Sequence, residues 1–422
     1  MLIYPKIATV HQAFDRTKID DVAKAVRDEL ATLDLGAQVR SGQSVALTAG
    51  SRGIDNIEMI LRTVVDFLKD LGAEPFIVPA MGSHGGGTVP GQLKVLAALG
   101  LSEDRLGCPI RASMETVILG NTEDGVPIHF DRIASEADHL LVCGRVKLHT
   151  GFDGVYQSGL MKMLLNGLGK HEGAKTYHRA SVELDFDHIV QTACPIILKK
   201  VPIVAGLAIV ENSFGATAKI AAVASEDFDR RQRELLVESR SLMASLPLDQ
   251  IDVLLIDEIG KSISGTGMDT NIIGRKQNDH AAVAGETPAI RTIAVRSVVG
   301  GNANGIGLAE FCTARAVAET NWKVTRINGL TAMHAAAAMM PIDFATDQEM
   351  LDAALKTIGL KEPVDARLVW IKNTKELEYI ACSEACFGDL QSQAGITIDD
   401  NLNPLPFDQE GNLPESILRP SG

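Results

Sequence analysis

Short apolar, β-branched runs alternate along the chain with stretches of helical period, the pattern of βαβ units and largely parallel sheet. Ser44-Val45-Ala46-Leu47-Thr48 predicts a strand ending at Gly50-Ser51-Arg52-Gly53. A helix over about 55–71 follows, with Ile57, Ile60, Leu61, Val64 and Leu68 on one stripe and Gly72 closing it. Phe76-Ile77-Val78-Pro79 predicts a second strand, which runs into Gly82-Ser83-His84-Gly85-Gly86-Gly87-Thr88 and then a helix over roughly 91–99. A third strand, 138–144, feeds the long segment from Arg145 to His178, and 203–210 predicts a fourth.

A charged helical stretch over 226–246 leads into Ile251-Asp252-Val253-Leu254-Leu255-Ile256-Asp257, which opens a second α/β unit. That unit continues with Thr292-Ile293-Ala294-Val295, helices near 308–320, 330–339 and 347–358, and a late strand Leu368-Val369-Trp370-Ile371. The expected class is α/β: an N-terminal domain over 1–225, a C-terminal domain over 226–400 closing over a cleft that holds the active site, and an irregular tail over 401–422. Each domain is expected to carry a mainly parallel sheet. A length of 422 residues accords with two such domains.

Composition narrows the function. The chain is 45% hydrophobic and 22% charged, ordinary for a globular protein. A formal net charge of −14 argues against a broad nucleic-acid or anionic-membrane surface, but leaves room for a small anionic ligand held by a few local cations. No apolar run has spanning length, and the N-terminal residues lack the pattern of a signal peptide, so the cytoplasm is the expected compartment. Cysteines 108, 143, 194, 312, 382 and 386 form no CxxC and read as buried reduced thiols.

In open α/β sheets, ligands bind beyond the carboxyl ends of the strands. Arg52, His84 and His149 each follow a predicted strand, in a loop. A guanidinium at Arg52 can hold a carboxylate bidentately, or be a surface arginine in a tight turn. His84 sits in a glycine-rich loop that fits neither GxGxxG nor a P-loop; the glycines serve a ligand or simply positive φ, and the histidine suits acid–base work. Lys162, alone among apolar neighbours in Leu160-Met161-Lys162-Met163-Leu164-Leu165, has either a snorkelling stem or a nucleophilic task. His149, His171 and His178 make a local histidine excess, read equally as a metal site or as unrelated surface histidines, without HExxH spacing. In the second unit, Lys261, Arg275 and Lys276 are candidate cations and Trp322 a candidate cleft residue, against the plainer reading of solvated charges and a packing tryptophan.

Taken in order, these pieces resemble the nickel-pincer-nucleotide-dependent lactate racemases. The likeness rests on His-Thr-Gly-Phe-Asp-Gly-Val-Tyr-Gln-Ser-Gly-Leu-Met-Lys over 149–162, on His178 sixteen residues beyond Lys162 (178 − 162), and on the two upstream loops. A looser match lies over 267–273. The resemblance implies racemisation or epimerisation of a 2-hydroxy acid by proton-coupled hydride transfer. Lys162 would tether the cofactor, His178 would ligate nickel, His84 and His149 would form the acid–base pair, and Arg52 would bind the substrate carboxylate. It also implies cofactor-synthesis enzymes as partners. Two departures bear on substrate: the family's Asp-His-Thr-Arg stands here as Ala49-Gly50-Ser51-Arg52, and the histidine-to-lysine loop is longer, with Val155-Tyr156-Gln157 as the extra residues. These changes favour a larger or more polar acid, such as an aldonic acid, as readily as lactate. The competing readings are a zinc-dependent hydrolase using His84, His149 and His178, and a non-catalytic nucleotide-binding sensor.

Overall fold

The computed structural model describes residues 2–151, 153–276, 286–331 and 334–415. The chain forms two compact units, one of residues 16–243 and one of 1–15 with 244–422. The helix Phe228–Leu242 therefore groups with the first unit, although the sequence pattern starts the second domain at 226. The reason is packing: Phe228, Leu235 and Leu236 are buried in the first unit's core, and Phe228 lies close against Gly206 of that unit's sheet. Strand β1 (Ile7–Gln12) belongs instead to the second unit.

The first unit is built on β2 (Ser44–Ala49), β3 (Glu74–Pro79), a β4–β5 hairpin (Thr116–Asn121, Pro127–Asp131), β6 (His139–Arg145), β7 (Ile203–Glu211) and β8 (Thr217–Val223). Its five-stranded sheet has the order β3-β2-β6-β7-β8, with the first four strands parallel and β8 antiparallel. Alternate residues of each strand enter opposite cores. Ala46, Val78, Leu140, Val142 and Ala208 face a core shared with Phe186, Val190, Ile197 and Phe228. Val45, Leu47, Ile77, Leu141 and Leu207 face another, shared with Val26, Leu30, Ile60, Leu61 and Val64. Both faces are covered, which is why the strands read as nearly continuous apolar runs.

The chain leaves β2 toward β3 on one side and then returns past β2 to β6 on the other. The carboxyl ends of β2 and β6 therefore flank a topological switch point, the place where such sheets bind ligands. The helices Ile57–Asp70 and Val89–Ala98 that follow β2 and β3 hold the intervening loops in place.

The second unit carries an eight-stranded sheet. Its strands are β1, β9 (Gln250–Ile259), β10 (Ala289–Val298), β11 (Phe311–Thr313), β12 (Ile342–Phe344), β13 (Leu368–Ile371), β14 (Tyr379–Ser383) and β15 (Ile396–Ile398). The order is β12-β11-β10-β9-β13-β14-β1-β15, parallel from β12 to β13 and antiparallel beyond. Both sheets are thus mixed and mainly parallel, in agreement with the expected class. Two helices differ from expectation. The one placed over 308–320 is confined to Ala314–Glu319, because Phe311–Thr313 pairs with β10 as a strand. The one placed over 330–339 comes earlier, Trp322–Thr331, where the Asn321 side chain accepts from the Val324 amide at 3.2 Å; residues 332–333 lie outside the described set. Of the tail, 416–422 is likewise outside it.

Candidate active site

Three loops leave the carboxyl ends of β2, β3 and β6, and all three carry residues singled out by the sequence. After β2 comes Ser51, hydrogen-bonded through its hydroxyl to Nδ1 of His84 in the loop after β3. The two loops are therefore joined side chain to side chain. Arg52 is exposed, and its neighbourhood is shaped by Arg145 at the end of β6. Surrounding protein first, and the Arg145 charge second, lower the Arg52 pKa from its ordinary value, yet a guanidinium remains charged at any physiological pH. Arg145 is itself clamped: it pairs with Glu211 at the end of β7 and donates to Gly53 O at 3.2 Å. Glu211 also accepts the Asp55 amide at 2.9 Å, so this ion pair braces the loop on which Arg52 stands.

In the His84 loop, Gly85, Gly86 and Gly87 all have left-handed φ of +67°, +69° and +64°. A Cβ on Gly85 would stand 2.5 Å from the backbone carbon of Gly91, so the return of the chain into its helix requires glycine there. The glycine run thus meets a conformational demand. It leaves His84 extended and exposed at the loop's tip, with His171, also exposed, packed beside Gly87.

The loop after β6 is the most heavily tied. The His149 amide donates to Gln157 Oε1 at 2.9 Å, and His149 Nδ1 accepts the Gly151 amide at 2.9 Å. Lys147 and Ser158 exchange two bonds, of 2.6 and 2.5 Å, across the loop's base. Phe152 of this segment lies outside the described residues. The chain then makes a short helix, Gly159–Lys162, followed by one π-helical turn, Met163–Gly167, a geometry frequent at functional sites.

Lys162 is half-buried among Leu160, Met161 and Leu164. Its Nζ donates to Gln157 O at 3.2 Å and sits 5.4 Å from the centre of the Phe186 ring. His178, half-buried on the helix Lys170–Ala180, has its pKa lowered first by desolvation and then by the Lys162 charge. Lys162 and His178 are thus within electrostatic reach of each other, and the imidazole is held toward its neutral form, the form that ligates metals.

Several participants carried no sequence signal strong enough to single them out. Gln157 and Ser158 are read only through the loop they close. Lys170 is fully buried: its Nζ donates to Pro79 O, the last residue of β3, at 2.6 Å and lies 2.6 Å from Asp131. A charged residue at the end of an apolar strand was an available signal for Arg145 and Glu211.

The second-unit candidates have local tasks. Arg275 is fully buried and spends its guanidinium on Glu310, at 2.8 and 3.1 Å, and on the carbonyls of Leu308 and Ile290; it is a structural cation, not one held ready for a ligand. Trp322 donates through Nε1 to Val317 O at 3.1 Å. Lys261 donates to Gly265 O at 2.7 Å and Lys276 to Asn271 Oδ1 at 3.3 Å. In the segment 267–273, Asp269 caps the short helix Thr270–Ile273. All six cysteines are buried thiols.

His84, His149 and His178 do not converge into a set of ligand atoms of zinc size. Among the described residues, the grouping of that kind is Glu123, Asp124 and His188, elsewhere in the first unit. The geometry therefore disfavours the zinc hydrolase. Also among the described residues, no helix is long and apolar enough to cross a membrane.

Loops from three adjacent strand ends thus bring Arg52, His84 and His149 to the switch point of an α/β sheet. Residues 7–186 match the family model of the lactate racemase N-terminal domain. The fold is similar to that of the lactate racemase apoprotein from Thermoanaerobacterium thermosaccharolyticum, with a TM-score of 0.56 over 87% of this chain and 98% of that one; the sequences are 12% identical. No curated protein matches the chain.

Proposed function

We propose that this protein is a racemase or epimerase of a 2-hydroxy acid that works with a nickel-pincer nucleotide held by Lys162 and His178. The observation that carries the reading is the pairing of those two residues. An amine on a half-buried helix and an imidazole held toward neutrality by burial and by that amine's charge are the donor chemistry such a group requires.

Inverting C2 by removing its proton is hard, because the carbanion would lie beside a carboxylate. Loss of hydride instead gives a stable 2-oxo acid, and the bound cofactor supplies the hydride acceptor. The rest falls to this chain. Arg52 binds the substrate carboxylate and fixes the orientation of C2. His84 and His149 handle the hydroxyl proton on the two sides of the substrate, one for each enantiomer. In the ring orientation that accepts the Gly151 amide on Nδ1, Nε2 is the His149 nitrogen that would exchange a proton with the substrate hydroxyl. When His84 Nδ1 donates to Ser51, its Nε2 is left as the base.

Ser51 takes the place of the threonine in the family's Asp-His-Thr-Arg loop, while Ala49 and Gly50 replace its acid and histidine. The smaller side chains favour a bulkier or more hydroxylated acid than lactate. Mass spectrometry of the intact protein made alongside the cofactor-synthesis enzymes, followed by a panel of C2-deuterated 2-hydroxy acids, tests the proposal. An adduct on Lys162 and inversion with deuterium retained are expected; no adduct, no nickel in free or bound form and no turnover would overturn it.

A further inference from the structure

Gln157 is a glutamine with no exposed surface, in the middle of a polar loop. Its side-chain oxygen accepts the His149 amide at 2.9 Å, its side-chain nitrogen donates to Gly154 O at 2.8 Å, and its main-chain oxygen accepts from Lys162 Nζ at 3.2 Å. One residue thus touches the backbone of the proposed acid–base histidine and the ammonium of the proposed tether.

The surroundings of Gln157 are fixed from outside the loop. Asp187, from the helix Phe186–Lys200, accepts the amides of Val155 at 2.7 Å and Tyr156 at 3.1 Å. Gly154 has φ +101°, and a Cβ there would stand 2.1 Å from Asp187 Oδ2, so this close approach requires glycine. Tyr156 is 2% exposed; its hydroxyl donates to Asp229 and accepts from Arg233 at 2.5 Å, both on the helix Phe228–Leu242. Burying a loop with this many polar groups is costly unless they are satisfied, and here Asp187, Asp229 and Arg233 bond Val155 and Tyr156, the two residues leading into Gln157.

We infer that Gln157 is a positioning residue that holds His149 and Lys162 in one frame, and that Val155-Tyr156-Gln157 is the strap that sets the frame. The inference rests on the proposed roles of His149 and Lys162 and adds to them the residue that ties them together. An amide is required because the side chain both accepts and donates. Glutamate keeps the acceptor for His149 but loses the donor to Gly154; leucine loses both.

The test is residue-resolved amide hydrogen exchange on the full chain, for wild type, Gln157→Leu and Gln157→Glu, with the sheet amides of β2 and β6 as the folding control. The His149 amide should exchange at least about tenfold faster in Gln157→Leu and close to the wild-type rate in Gln157→Glu, with the sheet amides unchanged. With the cofactor-loaded protein, Gln157→Leu should lower kcat about ten- to hundredfold while KM moves much less, and Gln157→Glu should recover part of the loss. A His149 amide as protected in Gln157→Leu as in wild type overturns the strap. Faster exchange with wild-type kcat overturns the positioning role. If wild type turns over no 2-hydroxy acid and gains no mass on Lys162, the functional reading falls, and the exchange rates alone still decide whether Gln157 holds His149.

Discussion

The Lys170 ammonium lies 2.6 Å from the Asp131 carboxylate, and neither side chain has any exposed surface. Lys170 starts the helix that carries His178 and also donates to the last carbonyl of β3, while Asp131 ends the β4–β5 hairpin and caps the Ala134 amide at 2.9 Å. Burial pushes the Asp131 pKa up, and the adjacent lysine pulls against it. The Lys170 ammonium thus ties the helix of the proposed metal ligand both to the hairpin, through Asp131, and to the strand end from which the His84 loop departs, through Pro79 O.

Removing one partner should leave an unpaired charge in the core. Lys170→Met is expected to cost about 3–5 kcal/mol, read as a lower urea midpoint. Replacing both, with Lys170→Met and Asp131→Leu, should recover most of this, short of the roughly 1 kcal/mol lost with the Ala134 cap. A Lys170→Met variant as stable as wild type would show that the pair contributes nothing net.

Arg52→Lys keeps a positive charge but loses the planar fork that grips a carboxylate. The expected result is a KM for the 2-hydroxy acid raised about ten- to hundredfold, with kcat falling less. A variant whose KM is unchanged would remove Arg52 from the substrate site. Arg145→Leu should act in the same direction by releasing Gly53 and Glu211, although Arg145 need not touch substrate.

His84→Asn and His149→Asn separate proton transfer from cofactor capture. Each should lower turnover by about 10²–10⁴ while the mass added to Lys162 remains. A full loss of the adduct in either variant would instead make that histidine part of cofactor binding, and wild-type turnover would remove it from the chemistry.

The sequence makes one class of residue legible and hides another. Arg52, His84 and His149 stand out because an apolar β-branched run, then glycine, then a polar residue marks the end of a parallel strand, and that is where these sheets place ligands. Lys162 stands out as a charge inside an apolar run. The residues that hold them do not, because their partners are distant in the chain: Arg145 meets Glu211 66 residues on, and Lys170 meets the carbonyl of Pro79 91 residues back. Arg275 misled for the complementary reason. Its charge reads as available in sequence, but the Glu310 carboxylate and three carbonyl groups already occupy it. The strand at Phe311–Thr313 reads as helix because three residues are too few to establish a period of two.

The base of β6 should shape the acid limb of stability in two windows. His139 is partly buried next to Gln43, to which its Nε2 is bonded at 3.0 Å, and desolvation lowers its pKa from the ordinary 6.5 against the opposing pull of Asp138. The folded protein therefore binds this proton less well than the unfolded chain. Its contribution is complete above pH 6.5 and is lost as pH falls through the lowered value. Asp138 accepts from the Ser44 amide at 2.8 Å and the Ser44 hydroxyl at 2.7 Å, which lower its pKa from the ordinary 3.8. That contribution is complete above pH 3.8 and is lost only on further acidification. Urea unfolding at a series of pH values from about 7.5 down to about 4.5 should show wild type losing stability over the upper window. His139→Gln, which cannot titrate and can still donate to Gln43, should lose less over the same range. An equal decline in the two proteins would assign the upper window to another histidine.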